Sequence, residues 1–139
     1  MALFKNEQEV YKYLAQIFKV AMEDPELAEK TKGSGLIVRI EYTDPDSTIG
    51  VVFDEGGLFL GAAQLPADFK PNMELKMSAD DGHRFWLGKL NMTAAMARGK
   101  VRVKGSVPKM LKLMPLAKPL RARYEKILAN DGRQDLINV

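Results

Sequence analysis

The sequence predicts an α+β fold: a five-stranded, mostly antiparallel sheet with one face covered by helices. Three observations predict it. Apolar residues recur at helical spacing up to about residue 23 and switch to period two from Gly35 onward. The strand-like runs are grouped, with turn chemistry between them, and do not alternate one-for-one with helices. Each strand has one apolar side, and that side cannot stay wet. A chain of 139 residues is long enough for one core and short for two. A single domain spanning 1–139 is therefore expected, with a structured core over 7–130 and a frayed tail over 131–139.

Asn6 followed by Glu9 has the spacing of a capping box, in which the Asn side chain accepts from a first-turn amide and the Glu reaches back. Val10, Leu14, Ile17, Phe18 and Ala21 then mark an amphipathic helix over 7–23. Asp24 is suited to cap a short second helix, with Pro25 at the first position, where a missing N–H costs nothing. Leu36, Val38, Ile40 and Tyr42 share one side of the first strand. "TDPDS" is a turn, and "TIGVVFD" and "GLFLGAA" are strands joined through the glycines of "DEGG". Met73, Leu75 and Met77 form the dry side of a fourth strand, read as antiparallel. Ser78 and Asn91 are suited to cap helices through "ADDGHRFWL" and "MTAAMAR", and Gly99 to end the second. "KVRVK" is the fifth strand, with Val101 and Val103 inward. Ser106 and Pro108 begin a helix that Pro115 interrupts. A last helix from about Pro119 puts Leu120, Tyr124, Ile127 and Leu128 on one side.

Hydrophobic residues make up 46% and charged residues 28%, which is globular composition. No apolar run approaches the roughly 20 residues that span a bilayer. The start, "MALFKNEQEV", is not that of a secretory signal, "LINV" is not the peroxisomal tripeptide, and there is no cysteine; a cytoplasmic location is the expectation. The absence of cysteine also excludes disulfides, thiolate metal sites and cysteine nucleophiles. Charge is lopsided. Residues 1–97 carry ten Lys/Arg and fifteen Asp/Glu, whereas 98–126 carry ten Lys/Arg and a single acid, Glu125. Such a face is either solvated or meets an anionic lipid surface or nucleic acid.

Chemistry-bearing motifs are sparse. His83, the only histidine, stands near Asp80 and Asp81; it reads as a half-exposed helix residue among capping acids, with Ser78 the only hydroxyl close in sequence for an enzymatic role. One histidine and no cysteine leave no metal-ligand pattern, and neither metal nor cofactor is expected. The glycines of "KGSG" precede a strand, so they do not form a phosphate cradle at a helix start. The basic stretch holds only one aromatic, Tyr124, so the stacking platform of a single-strand nucleic-acid binder is missing, and no nucleic-acid partner is expected. Methionine is abundant, at eight residues. Met73, Met77, Met92, Met96, Met110 and Met114 fall on the fourth strand and on the helices flanking the fifth. Met is unbranched and polarizable, and suits both core filling and adaptable apolar binding surfaces.

Over "FWLGKLNMTAAMARGKVRVKGSVPKMLKLMPLAKPL" the sequence resembles the sterol-carrier-protein-type lipid-transfer domains. The matching features occur in order: Gly88, the helix containing Ala94 to Ala97, the strand from Gly99 to Gly105, and the Met/Leu-rich segment from Leu111 to Leu120. The resemblance is sharpest over 73–120 and holds in element order over 7–130. It implies an apolar tunnel between sheet and helices that takes fatty acids, fatty acyl chains, sterol-like or related lipids, without catalysis.

The expected ligand-binding wall comprises Met77, Phe85, Trp86, Met96, Val103, Met110, Met114, Leu120 and Ile127. Pro115 and Pro119 would divide the covering helix into segments able to part. Lys109, Lys112, Lys118, Arg121 and Arg123 would ring the entrance, attracting a ligand carboxylate or docking transiently on an anionic membrane surface. A second reading is an accessory or scaffold protein that uses the same groove for a homodimer or a partner protein.

Overall fold

The computed structural model describes residues 2–139, apart from the side chains of Val107 and Lys112. Two helices, α1 (Glu7–Glu23) and α2 (Pro25–Thr31), precede strands β1 (Ile37–Thr43), β2 (Ser47–Val52), β3 (Gly57–Leu60) and β4 (Met73–Ser78). Helices α3 (Ala79–Trp86) and α4 (Met92–Ala97) lead to β5 (Arg102–Gly105). Helices α5 (Val107–Leu113), α6 (Ala117–Asn130) and α7 (Gln134–Ile137) close the chain.

Local chemistry sets the helix starts. Asn6 Oδ1 accepts from the Glu9 amide at 3.1 Å, and Glu9 reaches one residue further back than a capping box requires, accepting from the Lys5 amide at 2.7 Å. Asp24 accepts from Glu26 and Leu27, Ser78 from Asp81, Asn91 from Ala94, and Ser106 from Lys109.

The sheet order is β3-β2-β1-β4-β5. Three of its four pairings are antiparallel, but β4 runs parallel to β1, with Val38 opposite Met73, Ile40 opposite Leu75 and Tyr42 opposite Met77. The expectation that β4 is wholly antiparallel is thus corrected. A parallel neighbour cannot be reached by a hairpin. Residues 61–72 make the crossing, and they do so over the sheet face opposite the helices. Leu65 and Phe69 of this segment press on Gly50, where an added Cβ would lie 2.5 Å from Leu65 Cδ2. Phe59 meets Phe69 edge-on at 6.1 Å. Helices cover one face, and this crossing covers part of the other.

The core lies between sheet and helices. Val10, Leu14, Ile17 and Ala21 of α1 are buried against Val38, Ile40, Ile49 and Val51, each large side chain contributing roughly 1.5–3 kcal/mol of burial. The C-terminal segment is not frayed as expected: α7 docks, and Leu136 is 1% exposed. Among the described residues no helix is long and apolar enough to cross a membrane.

Candidate functional site

Between the sheet and the helices lies a hollow of about 80 Å³. Its floor is the inner side of two adjacent strands, Val38, Ile40 and Tyr42 of β1 and Met73, Leu75 and Met77 of β4, brought side by side by the parallel pairing. Phe18 and Ala21 of α1, Phe53 after β2, and Phe85 and Trp86 of α3 form the walls. Met110 and Leu113 of α5, Met114 and Leu116 of the following 3₁₀ turn, and Ala117 and Leu120 of α6 form the roof, with Met92 beside it. Among the described residues, Tyr42 and Trp86 are the only ones lining the hollow that carry a side-chain N or O atom. Burial pushes the Tyr42 phenol well above its usual range, so it stays neutral. The described lining is therefore apolar and uncharged.

The roof is its weakest part. Pro115 carries no N–H, so α5 ends at Leu113 and the chain passes through Met114–Leu116 in a tighter turn before α6 begins. Met114 is 39% exposed and Leu111, on the outer side of α5, is 59% exposed. The volume is well below the roughly 300–1,000 Å³ of small-molecule pockets. A long apolar guest would have to displace this roof.

Of the residues expected from sequence, Met77, Phe85, Trp86, Met110, Met114 and Leu120 stand around the hollow. Trp86 meets Phe85 and Phe18 edge-on at 5.0 and 5.8 Å. Three do not line it. Met96 faces outward on α4, Val103 lies one strand beyond Leu75 on β5, and Ile127 sits further along α6, against the core. The floor residues of β1 and the α1 residues Phe18 and Ala21 were not expected. Their apolar periodicity was visible in the sequence, but not which strands and helices become neighbours.

The expected basic rim is divided. Arg123 is bound to Asp24 at 2.6 Å, and Arg121 to Glu125 at 3.2 Å. The Arg121 guanidinium also lies against Gly88, where a Cβ would come within 2.5 Å of Nη1. Lys109 reaches toward Gly35 at the start of β1, and Lys118 is exposed on α6. The Lys112 side chain lies outside the described residues.

His83 is fully buried, not half-exposed as expected. Its Nε2–H donates to the Leu136 carbonyl and its Nδ1 accepts from the Tyr124 hydroxyl, both at 2.6 Å. A carbonyl can only accept, which fixes the tautomer. Burial lowers the imidazole pKa below its ordinary 6.5 and raises that of the Tyr124 phenol, so both are neutral. With both nitrogens engaged, this histidine ties α3 to α6 and α7. Among the described residues no group of three or more His, Cys, Asp or Glu side chains converges as metal ligands would.

The family model described as the SCP-2 sterol transfer family matches residues 14–118. No curated protein matches. Among solved structures, the sterol carrier protein domain 2 of Helicoverpa armigera aligns with TM-score 0.64 at 23% identity, over 88% of this chain and 95% of that one. Sterol carrier protein 2 from Yarrowia lipolytica, in its apo form, aligns with TM-score 0.59 at 18% identity, over 78% and 89%. Sterol carrier protein-2 from Aedes aegypti, in complex with the C16 fatty acid palmitate, aligns with TM-score 0.55 at 19% identity, over 80% and 93%. These structures share the fold.

Proposed function

Because the chain belongs to the SCP-2 sterol transfer family, we propose that it binds an apolar ligand, a fatty acid, fatty acyl chain, sterol-like or related lipid, between sheet and helices, holding or transferring it without catalysis. The observation that carries this reading is the apolar hollow under a roof of Met110, Leu113 and Met114 that is broken at Pro115 and exposed at Met114. The palmitate complex of the Aedes aegypti relative supports the ligand class.

The energetics are adequate. Burying about ten methylenes at about 0.8 kcal/mol each, before the cost of ordering the chain, reaches at most the micromolar range. The hollow as it stands takes only a fraction of such a chain, so the reading requires α5 to move outward on ligand uptake. Methionine side chains suit that demand because they re-pack around different shapes. In this reading Lys109 and Lys118 remain near the roof to meet a ligand carboxylate or an anionic bilayer surface, at about 1 kcal/mol per basic residue.

Titration of palmitate against Trp86 fluorescence tests the reading, since Trp86 is the only tryptophan and lines the hollow. A saturable change in emission is expected, together with a lipid mass retained in native mass spectrometry. The exposure of Leu111 and Met114 favours one other reading, contact with a second copy or a partner protein through the same roof. An unchanged emission together with a bare dimer in the mass spectrum would establish that reading instead.

A further inference from the structure

The outer face of the sheet carries a second hollow, of about 150 Å³, where β1 and β4 end and β5 begins. Thr43, Lys76, Ser78, Gly99, Lys100 and Arg102 line it. Met77 is the one residue it shares with the apolar hollow. No acid lines it.

The charge arrangement is not one that strand pairing favours. Lys76 and Arg102 face each other directly across the β4–β5 ladder. Directly opposite side chains have Cβ atoms about 4.5–5.5 Å apart, and like charges there are destabilising. Two residues along the same ladder and on the same face, Glu74 faces Lys104, an attractive pair. The ladder is thus matched at one rung and mismatched at the rung where the hollow opens, and Lys100 adds a third cation there.

The acids nearest in the fold have other partners. Glu41, the β1 neighbour of Lys76, is bound to Arg39 at 3.0 Å. Asp80 accepts from the Leu3 amide at 2.9 Å, and Asp81 pairs with Arg84 at 3.4 Å. None of Lys76, Lys100 and Arg102 forms an ion pair among the described residues. The Ser78 oxygen accepts from the Asp81 amide, which leaves its proton to be donated, and Thr43 supplies a second hydroxyl.

Three cations and two hydroxyls around a small space, with no carboxylate among them, have the chemistry of an oxyanion receptor. So many donors suit a phosphate, with three or four oxygens and up to two charges, better than a carboxylate. The volume suits the phosphate group itself and falls short of the roughly 300 Å³ at which drug-sized pockets begin. We infer that this hollow on the outer sheet face binds a phosphate group, carried either by a soluble phosphate ester or by a phospholipid headgroup. Apart from Met77, it is independent of the apolar site.

The test uses the full chain and inorganic phosphate, followed by NMR of the backbone amides. Saturable shifts are expected at Thr43, Ser78 and Gly99–Arg102. Affinity should fall by about tenfold in the double variant K100Q/R102Q, which removes two charge-assisted contacts. It should change less than about twofold in K104Q, a neighbouring cation outside the hollow. All of these side chains are exposed, and thermal melts check that the variants fold.

Amides that stay unmoved at millimolar phosphate would overturn the inference. So would equal weakening by K104Q, which would mark a diffuse charge effect. Two further probes then identify the carrier, and each positive result supports the site. Sedimentation with phosphatidylcholine vesicles containing phosphatidic acid, lost in K100Q/R102Q, assigns a headgroup. Shifts with glycerol phosphate and no vesicle binding assign a soluble ester. The palmitate titration at Trp86 reports on the other face of the sheet, so failure of one reading leaves the other standing.

Discussion

Helix α6 runs past two very different environments. Its first turns present Ala117 and Leu120 to the hollow. Two turns later Tyr124 and Leu128 are completely buried at the closed end. There Tyr124, His83 and the Leu136 carbonyl form a chain of two short hydrogen bonds, with Phe4 edge-on to the imidazole at 5.4 Å. Beside it Arg133 bonds Glu9 and Asp135, and Tyr13 bonds Asp131. Among the described residues, the side chains lining the hollow form no such bonds, and their contacts are methionine, leucine and aromatic carbon. Directional bonds between buried groups select one packing, because any other leaves a polar atom unpaired. Contacts among flexible apolar side chains select no single packing. One helix is thus held by directional bonds at one end and by apolar contacts alone around the hollow.

The largest effect is expected from removing the fixed end. His83→Ala leaves the Tyr124 hydroxyl without its acceptor, the Leu136 carbonyl without its donor, and a void beside Phe4. A loss of about 3 kcal/mol in urea-unfolding stability is expected, with palmitate affinity at Trp86 unchanged under folded conditions. A parallel loss of affinity would show that the two ends are coupled and that the contrast is too simple.

Next is the hollow itself. Ala117→Phe places a ring in the space under the roof. It should weaken palmitate uptake at least about tenfold while leaving stability within about 1 kcal/mol, since the ring enters existing space. Unchanged uptake would move the guest elsewhere.

A smaller effect is expected from pH. The folded His83 pKa is depressed by burial below its ordinary 6.5, so the unfolded chain binds more protons in the window just beneath 6.5. Stability is full above about pH 6.5 and falls as pH drops toward the folded pKa, by at most about 1.4 kcal/mol per pH unit. Urea unfolding between pH 7 and 5 reads the slope, and His83→Gln should flatten it. The lowered carboxyls of Glu9, Asp24 and Asp131 lose their contribution only at more acidic pH, which keeps the two windows apart.

The smallest effect sharpens the comparison at the surface. Leu111→Ser should change stability by no more than about 0.5 kcal/mol, because the side chain already faces water. Analytical ultracentrifugation of this variant against the parent reads any self-association through the roof.

What could be read from the sequence follows the range of the interaction involved. The caps at Asn6, Asp24, Ser78, Asn91 and Ser106 are decided within four residues, and each forms as expected. The dry sides of β1 and β4 are visible from period two alone. That β4 lies parallel to β1 was not visible, because it depends on where residues 61–72 carry the chain. The roof residues Met110 and Met114 could be picked out by composition. The floor at Val38 and Ile40 could not, since it exists only once the strands are ordered. The burial of His83 is hidden from the sequence for the same reason. Its sequence neighbours are acids, but its partners are 41 and 53 residues away.

The parallel pairing at the middle of the sheet also bears on assembly. Strands β1, β2 and β3 can zip as successive hairpins while the rest of the chain is still coil. The β4–β5 unit must then be delivered to the far edge of that meander by a crossing that presses Leu65 and Phe69 against Gly50. Closure entropy is spent before any ladder bond rewards it, so this step is expected to be slower than closing the hairpins. Until it is complete the β1 edge is bare, and a nascent or heated chain would offer Val38, Ile40 and Tyr42 to whatever strand arrives first.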